Sequence, residues 1–398
     1  MKYKYFKFIR SKYFLLFLFI FLTFLSIVNI PQNALADSNV ELTELSGSVN
    51  EIVNGLNLSE IQQMLDEMND YNIFGGSIKN KIVSILNGNY YTDYSNIIEI
   101  ILSIVFDNIQ NLLPFIFTIV SIGILSNLIS GLKSDNSSTY NIVNFVCFSV
   151  IVLMLIFTFK DILLLTKDTL SLILKQMQIV FPILITLLST VGSVTTISIY
   201  NPMVAVLTFL VSVIFDKILY PLFIILFLLM ILGGMSETVK LNKLQGFLMS
   251  TFKWSVGIVF TLFTGFLSLQ GISAGKFDSI SIKATKFAIK SYIPIIGSYI
   301  SDGMDFLVLG SVLVKNTIGI VGLLILFITI ISPVMSILLI KLSLQLVSGI
   351  LEMTGAGKIS NFIGDCSKVL VYPIVIIISV SFMYLITVAL IMCTANIF

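Results

Sequence analysis

Forty consecutive residues, 176–215, carry no acidic or basic side chain. Further charge-free runs occupy Asn108–Leu132, Asn136–Phe159, Ile218–Ser236, Trp254–Gly275, Asn316–Ile340 and Val369–Phe398. A helix crosses a bilayer core with roughly 20 apolar residues, and a buried soluble core never needs this many such runs. Lipid offers the backbone no hydrogen bonds, so helices must satisfy it internally. The pattern predicts an all-α polytopic membrane protein with roughly 6–10 membrane helices or re-entrant segments.

Composition agrees: charged residues are 11% of the chain, where soluble domains carry about 25%. The formal charge of +2 conceals a segregation. Residues 1–12 hold five basic groups and no acid, while residues 37–99 hold ten acids and only Lys79 and Lys81. No basic patch with interleaved aromatics occurs, so nucleic acid is not an expected partner. The chain has no histidine, which removes His-ligated metals and both Ser-His-Asp and Cys-His catalysis. Cys147, Cys366 and Cys393 are isolated in or beside apolar runs and read as small hydrophobes. No metal or other cofactor is expected.

The first 36 residues have the layout of a secretory signal peptide: a basic start, an apolar stretch Tyr13–Ile30, and Ala34-Leu35-Ala36 before the cut. An uncleaved anchor helix is the alternative, and both send Asp37 to the far side of the membrane. Residues 37–99 form an acidic exported segment. In it Ser59-Glu60-Ile61-Gln62 reads as a capping box, followed by Ile61, Met64, Leu65 and Met68 on one helical face. A second apolar stripe comprises Ile78, Ile82, Ile85 and Leu86. Two short amphipathic helices bury little alone. They are expected on the membrane domain or a partner, or as a solvated spacer.

Residues 100–398 form the membrane domain, and its prolines recur. Pro114, Pro221 and Pro333 each open an apolar run, at intervals of 107 and 112 residues; Pro182 and Pro294 are also 112 apart. Lys243-Leu244, Phe247 and Lys253 match Lys358-Ile359, Phe362 and Lys368 at a constant offset of 115. These matches predict repeat-like units of about 110 residues over 112–215, 219–330 and 331–398. The two full units each have a lysine-bearing helix, Lys160 and Lys167 before Pro182 and Lys276, Lys283, Lys286 and Lys290 before Pro294, and 331–398 is a half unit. Lys276, Lys283 and Lys290 repeat every seven residues and share one face; Phe277, Ile280, Ala284 and Phe287 share the adjoining one. Such a helix either lies in the headgroup layer with its lysine stems snorkelling or packs on the bundle.

With Asp37 outside, Pro114–Leu132 runs inward and Tyr140–Phe159 outward. The next hairpin, Met177–Phe215, turns at Gly192 and the uncharged Ser193–Asn201. The outer connections then hold more lysines than the inner ones, against the positive-inside rule. The direction of the first segment is followed here.

Charged residues at membrane depth are functional candidates. Asp107, Asp216-Lys217, Asp302, Asp305, Lys315, Lys341 and Glu352 sit at or within the ends of apolar runs and read mostly as marks of helix ends. Gly271–Lys276 and Gly355–Lys358 lack the spacing of a phosphate-binding loop and read as helix-ending turns, with Gly271 and Gly275 in the first. No paired carboxylates or nucleophile motif point to an enzyme. The candidate interfacial or gating residues are therefore Lys276, Lys283, Lys286, Lys290, Pro182, Pro294, Gly271, Gly275 and Asp302.

The stretch Ser268–Asp305, SLQGISAGKFDSISIKATKFAIKSYIPIIGSYISDGMD, carries a specific likeness. With the signal-like start and the acidic exported segment, the chain resembles the stage III sporulation protein AE family of endospore-forming bacteria. The resemblance implies a non-enzymatic subunit of the eight-protein stage III A membrane complex. It implies a place in the mother-cell membrane around the forespore, with residues 37–97 in the intermembrane space. The partners it implies are the other stage III A membrane proteins, a cytoplasmic secretion-type ATPase, a forespore membrane protein and the lipid bilayer. That complex is thought to form a channel sustaining forespore development. From the residues alone two other readings stay open: a stand-alone secondary transporter with broken-helix repeats, and a scaffold that conducts nothing.

Overall fold

A computed structural model describes residues 47, 49–67, 77–80, 83, 94–131, 137–235, 241–271, 283–291 and 297–394. The described elements are helical: α1 Ser59–Glu67, α2 Tyr94–Gly131, α3 Ser137–Thr190, α4 Val194–Leu210, α5 Tyr220–Met235, α6 Asn242–Gly271, α7 Gly297–Met353, α8 Gly357–Val369 and α9 Val371–Cys393. A π-helical segment, Val211–Leu219, joins α4 to α5 without a break. The all-α polytopic expectation holds. Among the described residues six stretches are long and apolar enough to cross a membrane: Leu102–Ile129, Phe145–Thr190, Thr196–Gly234, Asn242–Phe263, Gly303–Met353 and Gly357–Cys393.

α7 is the axis. It packs against α3, α8, α2 and α9. The order is up and down, fixed by contacts at both ends. At one end Asn127 of α2 donates to the Thr354 carbonyl, Phe148 of α3 meets Phe362 of α8 with ring centroids 4.9 Å apart, and Phe362 fills the space beside Gly234 of α5. At the other end Thr190 of α3 donates to Ser311 of α7 at 2.8 Å, and Lys315 of α7 reaches the last carbonyls of α9. Gly192 (φ 80°) and Gly355 (φ 89°) make the tight turns after α3 and α7, a conformation that costs glycine little. Only 17% of the most apolar windows of α2 and α6 is buried, against 61% for α8–α9. The former are peripheral, and Phe106, Phe117, Trp254 and Ile258 are exposed on them, as lipid-facing side chains would be.

The long helices outrun the bilayer. α3 has 54 residues and α7 has 57. At 1.5 Å per residue both exceed about 80 Å, against a hydrocarbon core of about 30 Å. Fitting such a rod inside the core would need a tilt of about 70°, far beyond the usual 0–40°. Parts of both helices therefore project beyond the hydrocarbon. α3 shows where: Lys160, Asp161, Lys167, Asp168 and Lys175 are exposed along its middle, while Ile162, Thr166, Ile173 and Gln176 stay buried on its other face.

Several expectations are corrected. Pro114, Pro182 and Pro333 lie inside helices and open none. The missing N–H frees the carbonyl four residues back, Gln110 and Gln178, and a membrane helix tolerates this where neighbouring groups or water re-satisfy it; Thr118 and Thr186 separately donate to the Pro114 and Pro182 carbonyls at 2.7 and 2.8 Å. The unit edges at 112, 215, 219 and 330–331 accordingly fall within continuous helices. Lys160 and Lys167 belong to α3, with no separate interfacial helix before Pro182. The turn expected at Ser193–Asn201 is helical from Val194, because Gly192 alone reverses the chain. Asp107, Asp216, Lys217, Lys315 and Lys341 stand within helices instead of ending them, since the helices extend past the apolar runs. The capping box is not formed: Asn57 Oδ1 accepts from the Ser59 amide and hydroxyl, and Gln62 Oε1 accepts from the Ile78 amide at 2.7 Å. An Asn side chain two residues upstream closes the turn first. α1 does bury Ile61 and Met64, and it touches α3. Cys147 and Cys366 are buried, but Cys393 is exposed.

The 115-residue offset has a local counterpart. α6 and α8 begin 115 residues apart, and each hairpin is tied near its turn: Gln245 donates to the Leu229 carbonyl at 2.8 Å, and Ser360 to the Ser348 carbonyl at 2.7 Å. This likeness is confined to the two turns and does not establish the longer repeat.

The packing yields a contrast of sign. A Cβ at Gly234 would overlap the Phe362 ring, whereas one at Gly257 meets nothing within 4 Å. Gly234→Ala should lower the melting temperature of the purified protein, by an overpacking cost of about 1–3 kcal/mol. Gly257→Ala should leave it unchanged or raise it, since Ala gains about 1 kcal/mol over Gly in a helix. Thermal melts in detergent check both.

Candidate functional site at the amino-terminal end of the central helix

Of the sequence candidates, Lys286 is tied to the start of α7. Residues 283–291 are helical and carry Lys283, Lys286 and Lys290. Lys286 is mostly buried and forms an ion pair with Asp305 of α7, whose side chain is 36% exposed. The pair pins the lysine helix to α7. Solvent screening keeps such a pair to about 1 kcal/mol, enough to orient the helix but not to stabilise the fold. Burial lowers the Lys286 ammonium below the usual lysine range, and the like charges of Lys290 and Lys283 push the same way. Phe287 is 73% exposed beside the exposed Lys283 and Lys290. That is the layout of a helix set in the headgroup layer, with an apolar ring available to lipid and ammonium groups beside it.

Lys276, Gly275 and Pro294 lie outside the described residues. Asp302 stands in the second turn of α7, three residues before the ion-paired Asp305. Gly271 lies in α6, and the residues that follow it, 272–282, are outside the described residues. Pro182 lies on the exposed side of α3, while its neighbour Phe181 is buried. The structure thus joins Lys286 to α7 and leaves Pro182 apart from the lysine helix in sequence and in element.

The more demanding residue is Lys315. It is fully buried, and its ammonium donates to the Met392 carbonyl at 3.1 Å and to the Thr394 carbonyl. These carbonyls end α9, where helical partners run out and the macrodipole is negative. An ammonium at that point satisfies acceptors that lipid could not. Gly319, one turn along α7, leaves room for Met392. The sequence marked Lys315 as a charge near the end of an apolar run but offered no partner, because the acceptors are backbone groups.

Further polar residues line the same region without any sequence signal that singled them out. Gln176 of α3 donates to Thr329 of α7 at 2.5 Å. Tyr384 of α9 is fully buried and packs on Phe181 with centroids 5.4 Å apart. Heptad spacing could have found part of this set, for Ser301, Lys315, Gly322 and Thr329 are separated by multiples of seven.

With this geometry in place, a family model described as stage III sporulation protein AE matches residues 77–395. The chain belongs to that family. Stage III sporulation protein AE of Bacillus subtilis (strain 168) is 27% identical over 215 residues, 54% of this chain and 54% of that protein. The aligned stretch spans about half the length of that relative. No solved structure matches. The matched span begins within the acidic segment, at residue 77, and takes in every described helix that is long and apolar enough to cross a membrane.

Loss of the Lys315 tie should be felt locally first. Lys315→Met leaves the α9 carbonyls without their donor, at about 1–3 kcal/mol for buried acceptors. Amide hydrogen exchange in residues 386–394 should then rise well above that in α8. Equal protection in the variant and the parent would show that the tie does not hold α9.

Proposed function

We propose that this chain is a non-enzymatic, multi-pass subunit of a sporulation channel complex in the mother-cell membrane that surrounds the forespore. Membership of the stage III sporulation protein AE family carries this reading, since the match extends over the whole membrane bundle. The bundle itself adds two supports. Helices of 54 and 57 residues give a subunit that stands beyond the bilayer, where partner proteins can be met. The acidic segment before α2 packs α1 onto α3, which sets a polar exported surface on the body of the protein.

In this reading residues 37–97 face the intermembrane space, and the turns after α2, α5 and α7 face the mother-cell cytoplasm. The lysine helix and the start of α7 are then on the forespore side. Partners are the other stage III A membrane proteins, a secretion-type ATPase reached from the cytoplasmic turns, and a forespore membrane protein reached across the gap. The transporter alternative drew on half-helices with unwound backbone at mid-membrane. α2, α3 and α7 run unbroken through Pro114, Pro182 and Pro333, so that support falls away.

Changing Lys276, Lys283, Lys286 and Lys290 together to Glu reverses the charge of the end that holds the lysine helix. Single Lys→Ala changes at the exposed Lys283 and Lys290 should be mild, since each surface lysine contributes about 1 kcal/mol of lipid attraction. The quadruple variant should block sporulation after engulfment while remaining in the membrane at parental abundance, read by spore counts and immunoblots of membrane fractions. Thiol labelling at Asn54→Cys from outside, and protection of Asn242→Cys, should accompany it. Normal spore yield, or external labelling at position 242, would overturn the proposal.

A further inference from the structure

α3 presents two different outer faces along its length. Over residues 145–157 every exposed residue is large and apolar: Phe145, Val146, Val150, Leu153, Ile156 and Phe157. Over residues 173–189 every exposed residue is polar or proline: Lys175, Gln178, Pro182, Thr186 and Ser189. The buried face does not change, for Ile151, Phe159, Ile173, Met177, Phe181 and Leu188 keep it apolar throughout. Most of the polar stripe lies in the charge-free run 176–215, in a stretch long and apolar enough to cross lipid. Its steps of three and four residues make a straight seam one residue wide, about 21 Å long at 1.5 Å per residue.

The seam carries both halves of a hydrogen bond. Pro182 has no N–H for the Gln178 backbone carbonyl one turn back, so that acceptor opens on the exposed side of the helix. The Gln178 side chain is exposed at the same place and brings two amide N–H donors. Lipid supplies a partner to neither. α4 packs on α3 behind the Gly192 turn and widens the patch, exposing Asn201 and Pro202. Pro202 follows Gly192 by ten residues, as Pro182 precedes it by ten, so the two prolines stand at one level. Thr186 makes no demand of its own, because its hydroxyl donates to the Pro182 carbonyl.

We infer that this seam packs against the same seam of a second copy of the chain. A copy inserted in the same direction presents the same residues at the same depth. A two-fold axis along the membrane normal then sets Gln178 against Gln178. The side-chain amide of each copy donates to the proline-freed carbonyl of the other, so one contact satisfies both. Hydrogen bonds of this kind and small residues such as Ser189, which let backbones approach, hold membrane helices together where the hydrophobic effect is absent. Lys175 stands at the end of the seam next to the exposed Lys167 and Asp168, and its long stem carries the ammonium out of the contact. The apolar half, 145–157, keeps its contact with lipid. This inference stands apart from the sporulation reading and depends only on α3 and α4.

Cysteine cross-linking of the full chain in native membranes tests it, in a variant lacking Cys147, Cys366 and Cys393. Gln178→Cys and Pro182→Cys should each give, under mild oxidation, a reducible band at twice the monomer mass. Val150→Cys and Leu153→Cys, exposed on the apolar half of the same helix, should stay monomeric. Gln178→Leu removes the donors of both symmetric bonds. It should weaken self-association about fivefold, the worth of roughly one hydrogen bond between membrane helices, read by energy transfer between tagged copies in liposomes. No dimer at positions 178 and 182 would overturn the inference. Reaction of the same thiols with a membrane-impermeant reagent would then assign the seam to water, and a cross-link of another mass would assign it to a different protein. Dimers as abundant at positions 150 and 153 as at 178, or unchanged association of Gln178→Leu, would overturn it equally.

Discussion

The burial of α7 along its length, between α3 and α9, is the contact on which the other helices depend. Val314, Ile318, Ile325 and Ile337 are almost completely buried on α7, as are Phe181 and Leu184 on α3 and Ile376, Val380 and Tyr384 on α9. Lipid tails are as apolar as these side chains, so membrane helices associate through packing and hydrogen bonds more than through the hydrophobic effect. Close approach is therefore decisive. Gly319 admits Met392, Gly322 admits Tyr384, and Gly123 of α2 admits Leu351. Where α3 and α7 leave the hydrocarbon the same burial regains its hydrophobic drive, and one pair of helices serves both solvents.

Polar groups inside the bundle divide into two kinds. Many hydroxyls are satisfied within their own helix, as Thr166, Thr317, Ser381 and Thr387 donate to the carbonyl four residues back. These cost little and carry no specificity between helices. Others tie one element to another: Thr190 to Ser311, Gln176 to Thr329, Gln245 to the Leu229 carbonyl, and Lys315 to the end of α9. The second kind fixes register, because sliding α3 past α7 by one turn would break both of its polar contacts together.

Much of this was legible in the sequence, and the failures have a common cause. Charge-free runs reveal what lipid can touch, so the helical membrane class and the turns at Gly192 and Gly355 could be read directly. The same runs mislead on helix ends. A helix can continue through Pro333 or past Lys160 when a neighbour or water supports it, and nothing local in the sequence declares that neighbour. The lysine spacing located the helix at 283–291 but gave Asp305 no special place, since the ion pair spans 19 residues and an undescribed stretch. Lys315 was visible as a charge, yet its partners are backbone carbonyls 77 and 79 residues away. Sequence patterns report side chains that face one solvent or the other, and contacts between helices in the interior leave much weaker marks.

The most direct test of the account concerns the register of α3 on α7 within a single chain. Thr190→Cys with Ser311→Cys, in a variant lacking the three native cysteines, puts two thiols where the parent hydroxyls are 2.8 Å apart. Mild oxidation in native membranes should give an intramolecular disulfide in most molecules, seen as a faster-migrating band at monomer mass that reductant reverses. Absence of that band, or cross-linking only at twice the monomer mass, would contradict the antiparallel pairing on which the whole bundle is built.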